Sequence, residues 1–410
     1  MWLAALALSA LQDGEAGEWT PASVRDALAP RSWVETVDGV RCLGLAGRGD
    51  DAVDGRWTRT VPVEAGAWYR FSVRYRARNV RQPARSVLAR LVWLDASGAP
   101  MRPMEYPYTA LHADPDGWTP MAGVYRAPEK AARARLELYL RWAAHGEVLF
   151  RDAALTPAAP PAPRRVTLAA VHHRPRKPAT PQQNLERFGS LVEEAARRKA
   201  DIVCLPEGIT VVGTGRTYAD VAEPVPGPTT RFLGERAARL RVWIVAGIYE
   251  RDEGRVYNTA VLLGRDGSLA GKYRKVCLPD EEIEGGITPG TDYPVFDTDF
   301  GRIGLFICWD VHFPEVAREM AARGAEVLFL PIWGGNELLA QARAVENQVY
   351  VVASGYDFRT GIFDPTGRRV ADASADPEVI VAEADLNERR LWPWLGEWRA
   401  RIWREGPPRR

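Results

Sequence analysis

The feature that most constrains this chain is a change of hydrophobic pattern at a run of prolines, PAAPPAP at residues 157–163. With its φ angles fixed and few backbone donors, such a run forms a stiff extended linker with nothing to pack. Ahead of it, residues 57–63, 68–75, 87–94, 134–141 and 148–155 alternate apolar with polar side chains and are rich in Val, Tyr, Trp and Phe. Period-two alternation broken by Gly-Ala, Asn, Ser-Gly and Asp-Gly turns predicts half-buried antiparallel strands, and so an all-β sandwich. Behind the linker, apolar runs at 166–171, 202–205, 242–247, 303–307, 327–330 and 349–353 alternate with helical patterns at 181–199, 229–240, 313–323 and 338–347. Strands that are apolar on both faces must be covered on both, so this half is predicted to be an α/β domain. The organisation expected is a possible signal peptide at 1–17, a β-sandwich at 18–156, the linker at 157–164, and the α/β domain with a C-terminal tail at 165–410.

Composition narrows the function classes. Lys and Arg number 54 against 53 Asp and Glu, a net charge of +1, which gives no bulk reason to expect nucleic acid or an anionic membrane as partner. Cys42, Cys204, Cys277 and Cys308 show no CxxC or CxxH spacing, and His112, His145, His172, His173 and His312 form no HExxH cluster. A metal hydrolase is disfavoured, and no cofactor is expected. No uncharged apolar run reaches the roughly 18 residues a membrane span needs. The apolar stretch from Trp2 to Leu11 has the length of a signal-peptide core, and Ala16-Gly17 offers a small-residue cleavage site, although the usual basic start is missing. Secreted or periplasmic export is expected, with the cytoplasm as the alternative if the stretch is only an N-terminal extension.

Three segments put a reactive side chain at the C-terminal end of an apolar strand, where α/β folds place their sites. They are IVCLPEG with Glu207, GKYRKVCLPDEEIEGG with Lys275, and IGLFICWDVHFPE with Cys308. Cys308 closes a strand just before a helix expected from about Phe313, where the helix dipole and free N–H groups favour a thiolate and can receive an oxyanion. A thiol nucleophile needs a base, and the turn and Pro314 set His312 badly for that task. A carboxylate whose affinity for protons is raised by burial can serve instead, which points to Glu207. Lys275 then supplies a fixed cation for the developing oxyanion. Lysine is scarce here (Lys130, Lys177, Lys199, Lys272 and Lys275), which adds weight to its position. Asp310 is read as holding the turn, and Cys204 and Cys277 as apolar fillers.

These three segments, in this order, resemble the nitrilase superfamily of carbon–nitrogen hydrolases over roughly residues 166–404, with RAVENQVYVVASG and GIFDPTGRRVA as further matching segments. The resemblance implies an αββα sandwich and a Glu-Lys-Cys triad: Glu207 as general base, Lys275 as the lysine, Cys308 as nucleophile, with the Trp309 N–H at the oxyanion. It implies a second, substrate-orienting glutamate, for which Glu284 is the candidate and Glu281 and Glu282 are near neighbours. Cys308-Trp309-Asp310 is more similar to the amidase and carbamoylase branches, so a small-molecule amide or N-carbamoyl substrate is expected, cleaved through a thioester. An acyltransferase using the same thioester, or a catalytically inactive glycan-binding scaffold, are the alternatives. A homo-oligomer is implied by the resemblance alone.

The N-terminal half, with VPVEAGAWYRFSVRYRA followed by the strands from GWTPMAGVYRA to VLFRDAALTP, resembles jelly-roll modules of the carbohydrate-binding and galactose-binding-like kind. Carbohydrate is therefore a possible partner, with Trp118 or Trp142 stacking on a sugar ring, against an interdomain or assembly role. The aromatic tail, with Trp392, Trp394, Trp398 and Trp403, is expected to pack on another subunit or on the neighbouring domain. Specificity would reside in loops such as residues 211–225 and 334–339.

Overall fold

The structure is a computed structural model that describes residues 17–176, 179–392 and 394–407. The signal-peptide expectation thus lies outside the described residues. The chain divides into two compact units, Met1–Ala162 together with Arg389–Arg410, and Pro163–Glu388.

In the first unit the alternating segments form two antiparallel sheets. The strands Thr20–Ser23, Asp54–Pro62, Arg133–Arg141 and Val87–Leu94 lie side by side in one; Arg31–Val37, Val40–Ala46, Glu147–Pro157, Trp68–Arg78, Thr119–Arg126 and Tyr108–Thr109 make the other. Every second residue points inward, so Trp57, Phe71, Leu91, Trp93, Leu136, Leu138 and Phe150 meet in one core. Trp118 belongs to a separate small cluster with Cys42 and Leu149, and is completely buried. The guanidiniums of Arg76 and Arg151 lie 4.6 and 4.3 Å from its ring centroid, so the sugar-stacking role expected for it is excluded. Trp142 is exposed, with Arg85 over its ring.

The tail corrects the expected boundary at 410: Arg389–Arg410 belongs to the β-sheet unit. The buried Glu105 carboxylate requires a cation, and Arg389 meets it at 2.5 Å while also reaching Glu397 at 2.7 Å. The Tyr108 hydroxyl donates to that same Glu397.

The second unit stacks two six-stranded sheets. One runs Leu269–Arg274, Arg255–Leu263, Trp243–Asp252, Ile202–Cys204, Arg165–His172 and Glu378–Asp385; the other runs Val295–Asp297, Arg302–Leu305, Val327–Pro331, Tyr350–Ser354, Gly361–Phe363 and Arg369–Asp372. The helices Pro181–Arg197 and Pro228–Leu240 cover the first, and Pro314–Ala322 and Glu337–Asn347 the second, giving αββα layers. The apolar stripe Leu185, Phe188, Leu191, Val192 and Ala195 faces the sheet, and a Thr180–Gln183 capping box with Pro181 starts that helix. At the sheet centres the strands are parallel, so their carboxyl ends open on one side. Among the described residues, no helix is long and apolar enough to cross a membrane.

Candidate active site

The site assembles where strands of both sheets end. Beyond Ile202–Cys204 the chain stays beside Trp243–Asp252: the Leu205 N–H donates to the Val245 carbonyl at 2.8 Å and the Ile209 N–H to the Gly247 carbonyl at 3.0 Å. Glu207 is thereby carried into the interior. A Cβ on Gly247 would lie 2.6 Å from the Glu207 Cα, so only glycine lets the two backbones approach this closely. Lys275 follows Leu269–Arg274, and its backbone N–H donates to the Asn258 carbonyl at 2.8 Å, which fixes its register against the neighbouring strand.

Glu207, Lys275, Asn258 and Glu282 are all buried, and they form one network. The Lys275 ammonium lies 3.1 Å from Glu207 Oε1 and 2.8 Å from Glu282 Oε2. Asn258 Nδ2 donates to Glu207 Oε1 and to Glu282 Oε1, at 2.7 Å each. Burial alone would push the lysine down, but Glu207, Cys308 and Glu282 outweigh it and hold the ammonium well above the ordinary lysine range. Burial pushes the Glu282 carboxyl up, against the pull of Lys275.

This corrects the expectation for Glu284. Both residues sit in the one-turn helix Asp280–Glu284, but Glu282 points inward while Glu284 is exposed. The turn also leaves Ile283 56% exposed, so its apolar residue faces out and a carboxylate faces in. A buried ammonium needs its counter-charge more than Ile283 needs burial.

Cys308 closes the second sheet's edge of the site. Its φ is +43°, in the left-handed region, and its thiol donates to the Gly334 carbonyl at 3.9 Å. It opens a five-residue 3-10 turn, Cys308–His312, and the α-helix begins at Pro314, within a residue of the expected start. The intervening 3-10 turn keeps the helix N-terminus more than one turn from the sulfur, where the dipole is weak. Burial and the Glu207 carboxylate push the thiol up, so the resting site holds a thiol rather than a thiolate. His312 turns its Nδ1 to the Trp309 carbonyl at 3.2 Å, and its ring lies 4.2 Å from that of Trp309, which is itself partly exposed.

Asp310 joins the two sheets' contributions. Its fully buried carboxylate accepts from the Ile307 N–H (2.8 Å), the Tyr273 hydroxyl (2.8 Å) and the Cys277 N–H (2.9 Å). Tyr249, stacked on Tyr218 with centroids 4.6 Å apart, flanks the network, and the Tyr356 hydroxyl donates to the Glu207 carbonyl at 2.8 Å. Asn258, Tyr249 and Tyr356 escaped the sequence reading. The visible signal for Asn258 was an amide, next to Thr259, inside the mostly apolar strand run VYNTAVLL. Cys204 is buried, and burial with Asp310 pushes the Cys277 thiol up to about 12, as fits fillers. Among the described residues, no group of three or more His, Cys, Asp or Glu is arranged to hold a metal ion.

Comparison with known proteins bears on this region. Residues 167–393 match the family model described as carbon–nitrogen hydrolase. The chain is similar to the omega-amidase NIT2 of Mus musculus, 36% identical over 253 residues that cover 54% of this chain and 91% of the relative. It is similar to the omega-amidase NIT2 of Homo sapiens, 35% identical over 234 residues that cover 50% and 84%. Among solved structures it resembles Saccharomyces cerevisiae Nit3, described as a member of branch 10 of the nitrilase superfamily. That likeness has a TM-score of 0.50 at 29% identity and covers 54% of this chain and 90% of the yeast one.

Proposed function

This chain belongs to the carbon–nitrogen hydrolase family, and on that premise we propose that it is an amidase working through a thioester on Cys308, with Glu207 as base and Lys275 as oxyanion cation. As an enzyme of this family it acts on C–N bonds other than peptide bonds. The observation that carries the reading is one buried ammonium held between two buried carboxylates, with the Cys308 thiol raised by the charge of the nearer one, Glu207.

The step order follows from the resting charges. Glu207 takes the thiol proton as sulfur attacks the amide carbonyl carbon, and the oxygen gains charge beside the Lys275 ammonium and the Trp309 N–H. When the tetrahedral adduct collapses, Glu207 returns that proton to the nitrogen; the C–N bond breaks, ammonia or an amine leaves, and a thioester remains. Glu207 next deprotonates a water that attacks the thioester. The C–S bond breaks, the acid departs and the thiol regains the proton. While Glu207 is neutral, Glu282 keeps the ammonium paired and in place. Glu282→Gln is therefore expected to lower kcat by roughly 10- to 100-fold, whereas Glu284→Gln changes it by less than about twofold, a difference steady-state kinetics reads directly.

The test of the reading is intact-protein mass spectrometry of acid-quenched reactions with a panel of small amides, beginning with omega-amides, the class in the relatives' name. Wild type is expected to gain the mass of one acyl group, and Cys308→Ala to gain none and turn nothing over. Turnover by Cys308→Ala sinks the proposal.

A further inference from the structure

Glu207 presents two unlike oxygens. Oε1 is saturated: it accepts from Asn258 Nδ2 at 2.7 Å and from the Lys275 ammonium at 3.1 Å. Oε2 is buried and has no donor in hydrogen-bond geometry among the described residues, while the charge of this same carboxylate helps keep the proton on the Cys308 thiol. An oxygen already accepting two hydrogen bonds is a poor seat for a further proton, and a desolvated bare oxygen is a good one.

We infer that Asn258 is a positioning residue that makes Oε2 of Glu207 the sole atom to take the Cys308 proton. This deepens the amidase reading and rests on it for the reaction, though not for the geometry. Asn258 suits the task by chemistry and placement. Its amide supplies two N–H groups, and both are committed, one to Glu207 and one to Glu282. A neutral double donor holds two carboxylates at fixed separation without adding a charge that would compete with Lys275 for either. Its backbone carbonyl accepts from the Lys275 N–H, as any residue's would, so the side chain's own contribution is to the rotation of the base. If the Glu207 carboxylate could rotate, the ammonium and the thiol would exchange oxygens, and the proton would be delivered to an atom facing away from sulfur. Tyr218, Tyr249 and Tyr356, which also feel this carboxylate, are phenols whose protons burial holds on.

The experiment reads the thiol without needing a substrate. The full chain is treated with iodoacetamide, and the rate of single alkylation is followed by intact mass, with Cys308→Ala giving the background from the other three cysteines. Unfolded molecules declare themselves by taking up several adducts, so folding losses separate from reactivity. Glu207→Gln is expected to slow single alkylation of Cys308 by roughly 10- to 100-fold, as loss of a positioned base should. Asn258→Leu and the isosteric Asn258→Asp are expected to slow it by at least about tenfold while the folded fraction still takes up one adduct. Alkylation by both Asn258 variants at the wild-type rate overturns the inference. Slowed alkylation together with no acyl adduct from any amide would overturn the amidase reading and leave the role of Asn258 standing.

Discussion

Replacing Lys275 by Met is expected to abolish amide turnover and to destabilise the second unit, the largest combined effect of any single substitution in the network. The ammonium is 1% exposed and lies between two buried carboxylates, at 3.1 and 2.8 Å. Taking away one partner of a buried ion pair costs about 3–5 kcal/mol, because the remaining charge keeps its desolvation penalty and loses its attraction. Here two like charges remain, with Asn258 alone between them. The folded variant relieves this by binding a proton on one carboxylate, most readily Glu282, which burial already pushes up. The sign follows: the folded state then binds more protons than the unfolded chain, so the variant loses stability as pH rises. Denaturation midpoints should therefore differ from wild type more at pH 8 than at pH 5. Turnover should fall by at least about 10³-fold, since the charge that meets the oxyanion is gone. Lys275→Arg separates the two effects. It keeps the charge and recovers part of the stability, but a planar guanidinium cannot stand in for a compact ammonium enclosed this tightly, so activity stays low. A Met variant within tenfold of wild-type activity would remove Lys275 from the reaction.

That Glu207, Lys275 and Cys308 lie just beyond strand ends was legible for a physical reason. Strands buried on both faces are written in apolar residues, so the first polar or reactive side chain beyond such a strand stands out and lies at the carboxyl end, where the functional groups of these folds gather. The same logic failed at Glu282. Four residues, EEIE, cannot declare their helical phase, and amphipathic reasoning would turn Ile283 inward; the burial of Lys275 reverses the choice. It failed again at Trp118, where long arginine stems cover an aromatic ring that alternation alone cannot show to be covered. The tail carries the linear neighbourhood of the second unit, but its partner is Glu105, nearly three hundred residues earlier, and no local pattern reports so distant an ion pair. At Cys308 the strand end was readable, but the 3-10 turn was not, because Pro314 starts a helix without saying how Cys308–His312 are wound.

Asp310→Ala should be nearly as damaging as the loss of Lys275, although Asp310 touches no reacting atom in the proposed scheme. Its carboxylate ties the nucleophile's turn to the lysine's strand: it holds the Ile307 N–H just before Cys308, and the Tyr273 hydroxyl and Cys277 N–H on either side of Lys275. Alanine would leave three donors buried without an acceptor, each costing about 1–3 kcal/mol, with part recovered by relaxation. Cys308 is held at φ +43°, a conformation that costs a non-glycine residue about 1–3 kcal/mol and persists only while its surroundings impose it. With Ile307 released, the turn is expected to relax and carry the sulfur away from Glu207. The variant should therefore show a denaturation midpoint lowered by several degrees and a kcat reduced by at least about 100-fold, with KM changed far less. Asp310→Asn retains the volume but brings an NH2 group to face donors, so it should recover packing and little rate. Unchanged kcat in Asp310→Ala would mean that the strained cysteine is held by the Gly334 side of the site alone, and that the two sheets position their halves of the network independently.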